Sequence, residues 1–203
     1  MQTTHNGLVE IVYINGRKIL NSAHTNYSYG SLERVLTHGL QKLDLSGVRN
    51  VLLLGLGGGC VVKALRKKFN FNGLIKALEI DEVIINLALH EFSLSKDTSL
   101  DVVHADAFNY IINVEEKYDL IIIDLFIDNT VPCKTFSKAF WENINKLNSR
   151  HGCFLFNASM GNVNNTLLEK PESFIKTGYH LKKFTKIEKG NTVLIGKKKS
   201  FIN

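Results

Sequence analysis

The chain has 203 residues, 44% of them hydrophobic and 22% charged, the balance of one globular domain with a substantial core. No apolar run approaches the roughly 20 residues that cross a bilayer, and Met1-Gln-Thr-Thr-His5 lacks the basic-then-apolar form of a secretory leader. Cys60, Cys133 and Cys153 are far apart with no CxxC, which favours a reducing cytoplasm and speaks against a disulfide framework or a bound metal. The formal net charge of +6 gathers near the end, in Lys182, Lys183, Lys186, Lys189 and Lys197-Lys-Lys199. Lysines so placed read as a solvated sheet edge that blocks aggregation, so neither nucleic acid nor membrane is expected as a partner.

In chain order, Leu8–Ile14 and Arg17–Leu20 are β-rich runs flanking Asn15-Gly16, the strongest short hairpin signal because both turn residues accept positive φ. A β-hairpin extension over residues 1–25 is therefore expected ahead of a main domain at 26–203. Asn21–Gly30 reads as a polar, aromatic connector whose Tyr27 and Tyr29 either cover a ligand pocket or cap the core. Leu32–Leu43 has helical spacing.

Val51–Leu54 reads as a strand buried on both faces. Gly55, Gly57, Gly58 and Gly59 follow, and Val61–Phe69 has helical spacing. A buried strand, a turn nearly free of side chains and a helix start form a nucleotide pocket. Backbone can approach the ligand there, and the helix N-terminus offers free N–H groups. A dinucleotide fingerprint wants Gly-x-Gly-x-x-Gly, and its third position here is Cys60, which disfavours NAD. Gly-x-Gly-x-Gly fits at Gly55, Gly57 and Gly59.

Leu74–Ile80 is a second strand ending at Glu79. A carboxylate about 20 positions beyond the glycine turn is placed to accept hydrogen bonds from a ribose without a 2′-phosphate. Asp81 caps a helix over Glu82–Phe92. Ser99–Ala105 is a third strand; Asp106 then hydrogen-bonds an adenine amine, caps the helix Ala107–Ile112, or does both. Lys117–Leu125 is a fourth strand that carries Asp124 at its tip, where parallel sheets place reactive groups. Phe126–Cys133 is a rim loop, Phe136–Leu147 a helix, and His151–Asn157 a fifth strand. A helix at about 162–176 is expected to break at Pro171, and Tyr179–Ile187 with Asn191–Lys198 closes the chain as an antiparallel pair. This pattern predicts a doubly wound, mostly parallel α/β sheet with an antiparallel C-terminal edge and a short N-terminal hairpin.

With these stretches in view, the chain resembles the spermidine synthase-like branch of the class I S-adenosylmethionine-dependent transferases, which have a Rossmann-like methyltransferase sheet. Val51–Gly59, Leu78–Asp81, Asp106-Ala107, Tyr118–Asp124 and Gly152–Asn157 carry the likeness, helped by Tyr27-Ser-Tyr29 after the hairpin. The resemblance implies that Gly55, Gly57, Gly58 and Gly59 hold the amino-acid end and ribose of S-adenosylmethionine or its decarboxylated form. It places Glu79 at the ribose hydroxyls with Ile80 beside it, and Asp106 and Ala107 at the adenine. Asp124 would lie beside the sulfonium, activating an acceptor amine, with Asp128 and Tyr29 as helpers.

The acceptor side departs from the family. The loop after the catalytic aspartate, Asp-Ser-x-Asp-Pro-x-Gly-Pro in spermidine synthases, is Asp124-Leu-Phe-Ile-Asp128-Asn-Thr-Val-Pro132 here. Upstream, Asp-Glu-x-x-Tyr-x-Glu becomes Thr25-Asn-Tyr-Ser-Tyr-Gly-Ser31, keeping Tyr29 and losing the acids. A polyamine's ammonium groups need carboxylates to offset desolvation. The expectation is therefore methyl transfer to a small amine acceptor, with aminopropyl transfer from decarboxylated S-adenosylmethionine as the alternative and a non-catalytic cofactor-binding subunit as a third reading. The hairpin at Asn15-Gly16 is a candidate surface for a homodimer.

Overall fold

A computed structural model describes residues 1–5, 7–14, 16–22, 26–28, 30–127, 130–159, 166–188 and 190–199. Two antiparallel strands, β1 (Val9–Ile14) and β2 (Arg17–Ser22), pair from Val9↔Ser22 to Ile14↔Arg17, as the hairpin signal predicted. Asn15 of its turn lies outside the described residues. The stretch read as a connector is partly a third strand, β3 (Asn26–Ser28), antiparallel to β2. Asn26-Tyr-Ser28 has no apolar alternation to signal a strand, and what defines it is its pairing with β2. This small sheet is anchored through Val9 and Leu20, which pack on Ile84, Leu87 and Phe92 of the main domain.

The main domain begins with α1 (Ser31–Leu40), shorter than the spacing suggested. Five parallel strands follow: β4 (Asn50–Leu54), β5 (Leu74–Glu79), β6 (Leu100–His104), β7 (Tyr118–Ile123) and the first part of β8 (Asn148–Ser159). Their connections are α2 (Cys60–Lys68), α3 (Glu82–Asn86), α4 (Ala107–Asn113) and α5 (Lys138–Leu147). After α6 (Thr166–Ile175), β9 (Tyr179–Ile187) and β10 (Asn191–Lys198) complete a sheet of order β6-β5-β4-β7-β8-β10-β9, in which β10 runs antiparallel to both neighbours. The predicted doubly wound sheet with its antiparallel edge is present.

Alternate residues of each strand face opposite sides, so a sheet covered on both faces needs apolar residues at every central position. Val51, Leu53, Ile75, Ala77, Leu120 and Ile122 pack under α1 and α2. Leu52, Leu54, Leu78, Ile121, Ile123 and Phe154 pack under α4, α5 and α6. That is why Val51–Leu54 and Leu120–Ile123 are unbroken apolar runs.

Two helices differ from expectation. The helix predicted over Glu82–Phe92 stays α-helical only to Asn86 and widens into a π turn over Leu87–Glu91, closed by Phe92 N–H donating to Leu87 O at 3.1 Å. The wider turn accompanies the insertion of Leu87 and Phe92 under the small sheet. Pro171 does not break α6, which runs through it. A proline removes one backbone N–H, and buried Leu168 and Ile175 hold the two ends of the helix to one core.

Candidate functional site

From β4 the chain runs outward to β5 and β6; it then returns to the far side of β4 for β7. Ligands of doubly wound sheets sit where the connections diverge in this way, beyond the strands' C-terminal tips. The glycine turn lies there. Gly55 has φ +93°, and a Cβ on it would stand 2.2 Å from the backbone oxygen of Asp124. Its N–H donates to Leu78 O at 3.0 Å, while Asp124 N–H donates to Leu54 O at 2.9 Å. The turn is thus wedged between the tips of β5 and β7, and only glycine fits. Gly59, at the N-cap of α2, also has positive φ, +76°, and its Cβ would meet the Leu94 side chain at 2.3 Å.

Glu79 ends β5 almost fully buried. Its Oε2 accepts Gly57 N–H at 3.0 Å, and its Oε1 accepts the N–H groups of Ile80 at 3.0 Å and Asp81 at 3.2 Å. Burial pushes its carboxyl above the usual range; the three donors oppose this, and the neighbouring Asp81 charge adds to it. Glu79 therefore already holds the glycine turn in shape. A carboxylate offers about four lone-pair directions, so one remains for a ligand. Ile80, next in the chain, is 36% exposed beside the turn, and His104 Nε2 lies 2.9 Å from its carbonyl oxygen.

Asp81 is wholly buried and caps α3 as predicted, accepting Val83 N–H at 3.0 Å. Its second oxygen accepts His5 N–H at 3.1 Å. Asp106 caps α4 through Oδ1, accepting Phe108 N–H at 2.7 Å and Asn109 N–H at 3.4 Å. Its other oxygen takes no hydrogen bond among the described residues. Ala107 is buried in the first turn of α4. Asp106→Ala should lower unfolding free energy by about 1 kcal/mol, the usual worth of such a cap, as read from a denaturant midpoint at constant slope.

Asp124 follows β7. Ile123 pairs with Phe156 across the β7–β8 ladder, which brings Asp124 opposite Asn157. Asn157 Nδ2 donates to Asp124 Oδ1 at 2.9 Å. Asn157 is wholly buried, and its Oδ1 has no partner among the described residues. Burial lifts the Asp124 carboxyl to about 6; the Asn157 hydrogen bond opposes the rise, and the Glu79 charge adds to it. Asn157 was read in the sequence only as the end of a strand. The available signal was one amide closing the apolar run Phe154-Leu-Phe156, at the same sheet level as Asp124. Asp128 and Tyr29 lie outside the described residues.

The spermine/spermidine synthase domain model matches residues 31–191. The polyamine aminopropyltransferase of Saccharolobus solfataricus is 30% identical over 145 residues, covering 66% of this chain and 46% of that protein. Polyamine aminopropyltransferase 2 of Aquifex aeolicus is 31% identical over 123 residues, 56% of this chain and 24% of its own length. The chain thus spans less than half of each of these curated relatives. Among solved structures, a probable spermidine synthase from Corynebacterium glutamicum superposes with a TM-score of 0.78 at 14% identity, over 96% of this chain and 78% of that one. Human methyltransferase-like protein 13 in complex with SAH gives 0.68 at 20% identity, over 84% and 83%. At these identities the structures establish the fold, and the domain model establishes the lineage. With a glycine turn wedged between strand tips and a carboxylate at each neighbouring tip, the chain belongs to the spermine/spermidine synthase domain family.

Proposed function

We propose that the chain transfers an aminopropyl group from decarboxylated S-adenosylmethionine to a small amine, releasing methylthioadenosine. One observation carries this reading. At the tip of β7, one Asp124 carboxylate oxygen is held by Asn157 Nδ2 and the other has no donor among the described residues. A carboxylate oxygen with unused acceptor capacity is the complement of an amine with an N–H to give. Methyl transfer, the sequence-based expectation, gives way because the named curated relatives are aminopropyltransferases.

The residues present suit an adenosyl group. The Gly55–Gly59 turn admits it where any side chain would collide, and the remaining lone pair of Glu79 accepts from one ribose hydroxyl. Ile80 and Ala107 flank the adenine, and the free oxygen of Asp106 accepts from its amine. The sulfonium, when bound, supplies an activated carbon and leaves as a neutral thioether that needs no acid. The chain's part is alignment, which contributes about 7–11 kcal/mol in well-oriented systems, and proton management. Asp124, with its raised pKa, takes the proton that the amine must lose, and Asn157 orients the carboxylate. Asp128 and Tyr29 are the proposed helpers on the acceptor side.

Incubation with putrescine and either decarboxylated S-adenosylmethionine or S-adenosylmethionine tests this directly. Release of methylthioadenosine from the first pair is the expected result. Release of S-adenosylhomocysteine from the second pair alone, or binding without turnover on either, overturns it. Glu79→Gln should weaken methylthioadenosine about tenfold in calorimetric titration, since the amide cannot accept on both sides and the turn loses a charged hydrogen bond.

A further inference from the structure

A groove of about 1040 Å³ runs between α2 and the segment 91–99, with Lys18 of β2 and Glu33 of α1 also lining it. It shares no lining residue with the glycine turn or with Glu79, Asp106 and Asp124. Its charges do not cancel. The three carboxylates that line it are each held by a cation that lines it too: Glu33 by Lys68 at 2.7 Å, Glu91 by Lys18 at 2.8 Å and Asp97 by Arg66 at 2.8 Å. Arg66 has no donor to spare. Nε and one terminal nitrogen bond Asp97, and the remaining N–H groups reach the carbonyls of Phe71 at 2.7 Å, Gly73 at 2.8 Å and Ser99 at 3.2 Å. It braces the wall. Lys67 and Lys96 are left over: both are exposed, and neither is ion-paired among the described residues. Lys63, one turn before Lys67 on α2, holds its ammonium 5.2 Å from the centre of the Phe92 ring. Burial lowers its pKa and the Lys67 charge lowers it further, with Cys60 and Glu33 opposing. Like charges four residues apart on a helix repel, and an anion between them relieves that repulsion.

The geometry points to a second binding site, for a linear oligophosphate whose phosphoryl groups run along α2 past Lys63 and Lys67 and reach across to Lys96. The groove lies at the top of the range of small-molecule sites, about 300–1,000 Å³, so a chain of anionic groups suits it better than one small ion. The rest of its lining favours the same chemistry. Asn72, Ser93 and Thr98 are polar, and the one aromatic ring among the lining residues, Phe92, is buried and offers no face for a base to stack on. The site is independent of the aminopropyl reading.

The probe is sodium tripolyphosphate without divalent cations, titrated calorimetrically at about 0.15 M ionic strength. Saturable binding of one molecule per chain is expected, and sodium sulfate at matched ionic strength should give none. Lys67→Gln combined with Lys96→Gln should weaken tripolyphosphate about tenfold, the product of two exposed charge contacts near the top of their usual worth. Both side chains are exposed, so the fold should survive. Lys182→Gln combined with Lys186→Gln removes the same charge from the sheet edge and should change the affinity by less than about twofold. Uridine triphosphate carries the same phosphate chain and should bind no more tightly. Absence of saturable binding would overturn the proposal, as would sulfate binding of equal strength. Equal weakening in the two double variants would mean that net charge rather than the groove holds the anion, and tighter binding of uridine triphosphate would mean that a base is read; either result overturns it.

Discussion

Asp124→Asn is expected to lower kcat by about 10²–10⁴-fold, the usual worth of a positioned proton acceptor, with a much smaller change in the affinity for methylthioadenosine. The amide keeps the shape and can still meet Asn157 Nδ2, but it cannot take a proton. The pH profile makes the assignment specific. With its carboxyl raised to about 6, Asp124 is mostly protonated at pH 5 and mostly ionised at pH 7. kcat/KM should therefore climb through about pH 6 and flatten above it in the parent, and the Asn variant should lose that limb. Stability moves the other way. A carboxyl whose folded pKa lies above its unfolded value binds protons more tightly in the native state, so its contribution is present at low pH and is lost as pH rises from about 4 to 6. Removing the charge should thus make the variant more resistant to denaturant than the parent at neutral pH, while it is far slower. Stability lost together with activity would point to a structural role instead.

Gly55→Val is expected to abolish turnover and cost about 3–5 kcal/mol of stability, at the upper end of single-substitution effects. The side chain would have to occupy space that the Asp124 carbonyl already fills, at a φ that L residues rarely adopt. The obstacle is backbone, so no rotamer change relieves it. Gly47→Ala is the matched control: nothing lies within 4 Å of its added Cβ, and it should stay within about 0.5 kcal/mol of the parent. A Gly55→Val protein of parental midpoint would mean that the turn does not sit between the strand tips.

Much of this arrangement was legible in the chain itself. Runs such as Leu120–Ile123 can only be buried on both sides, and a glycine-rich break directly after such a run has few uses besides a close backbone approach. Carboxylates at strand ends were likewise visible as Glu79, Asp106 and Asp124. What they bond was not. Glu79 is engaged by three backbone N–H groups whose directions depend on the turn's dihedrals, which no residue type encodes. The Asp124–Asn157 contact joins residues 33 apart through strand register, and register is a property of the assembled sheet. Pro171 misled because its local rule was outweighed by tertiary packing at both ends of the helix, and β3 was missed because backbone pairing leaves no periodicity to read.

β9 is an outermost strand of the seven-stranded sheet, and Lys182, Lys183 and Lys186 are exposed along it. A second molecule adding itself there would place its edge strand about 4.8 Å from β9 and bring like charges at Lys182 and Lys186 toward their counterparts, where the screening distance is about 10 Å at 0.1 M salt, while Lys183 is already paired with Glu172. Dilute buffer therefore keeps molecules from stacking edge to edge, and concentrated salt removes that protection. Purification in strong brine would therefore favour edge-to-edge association that dilute buffer holds off.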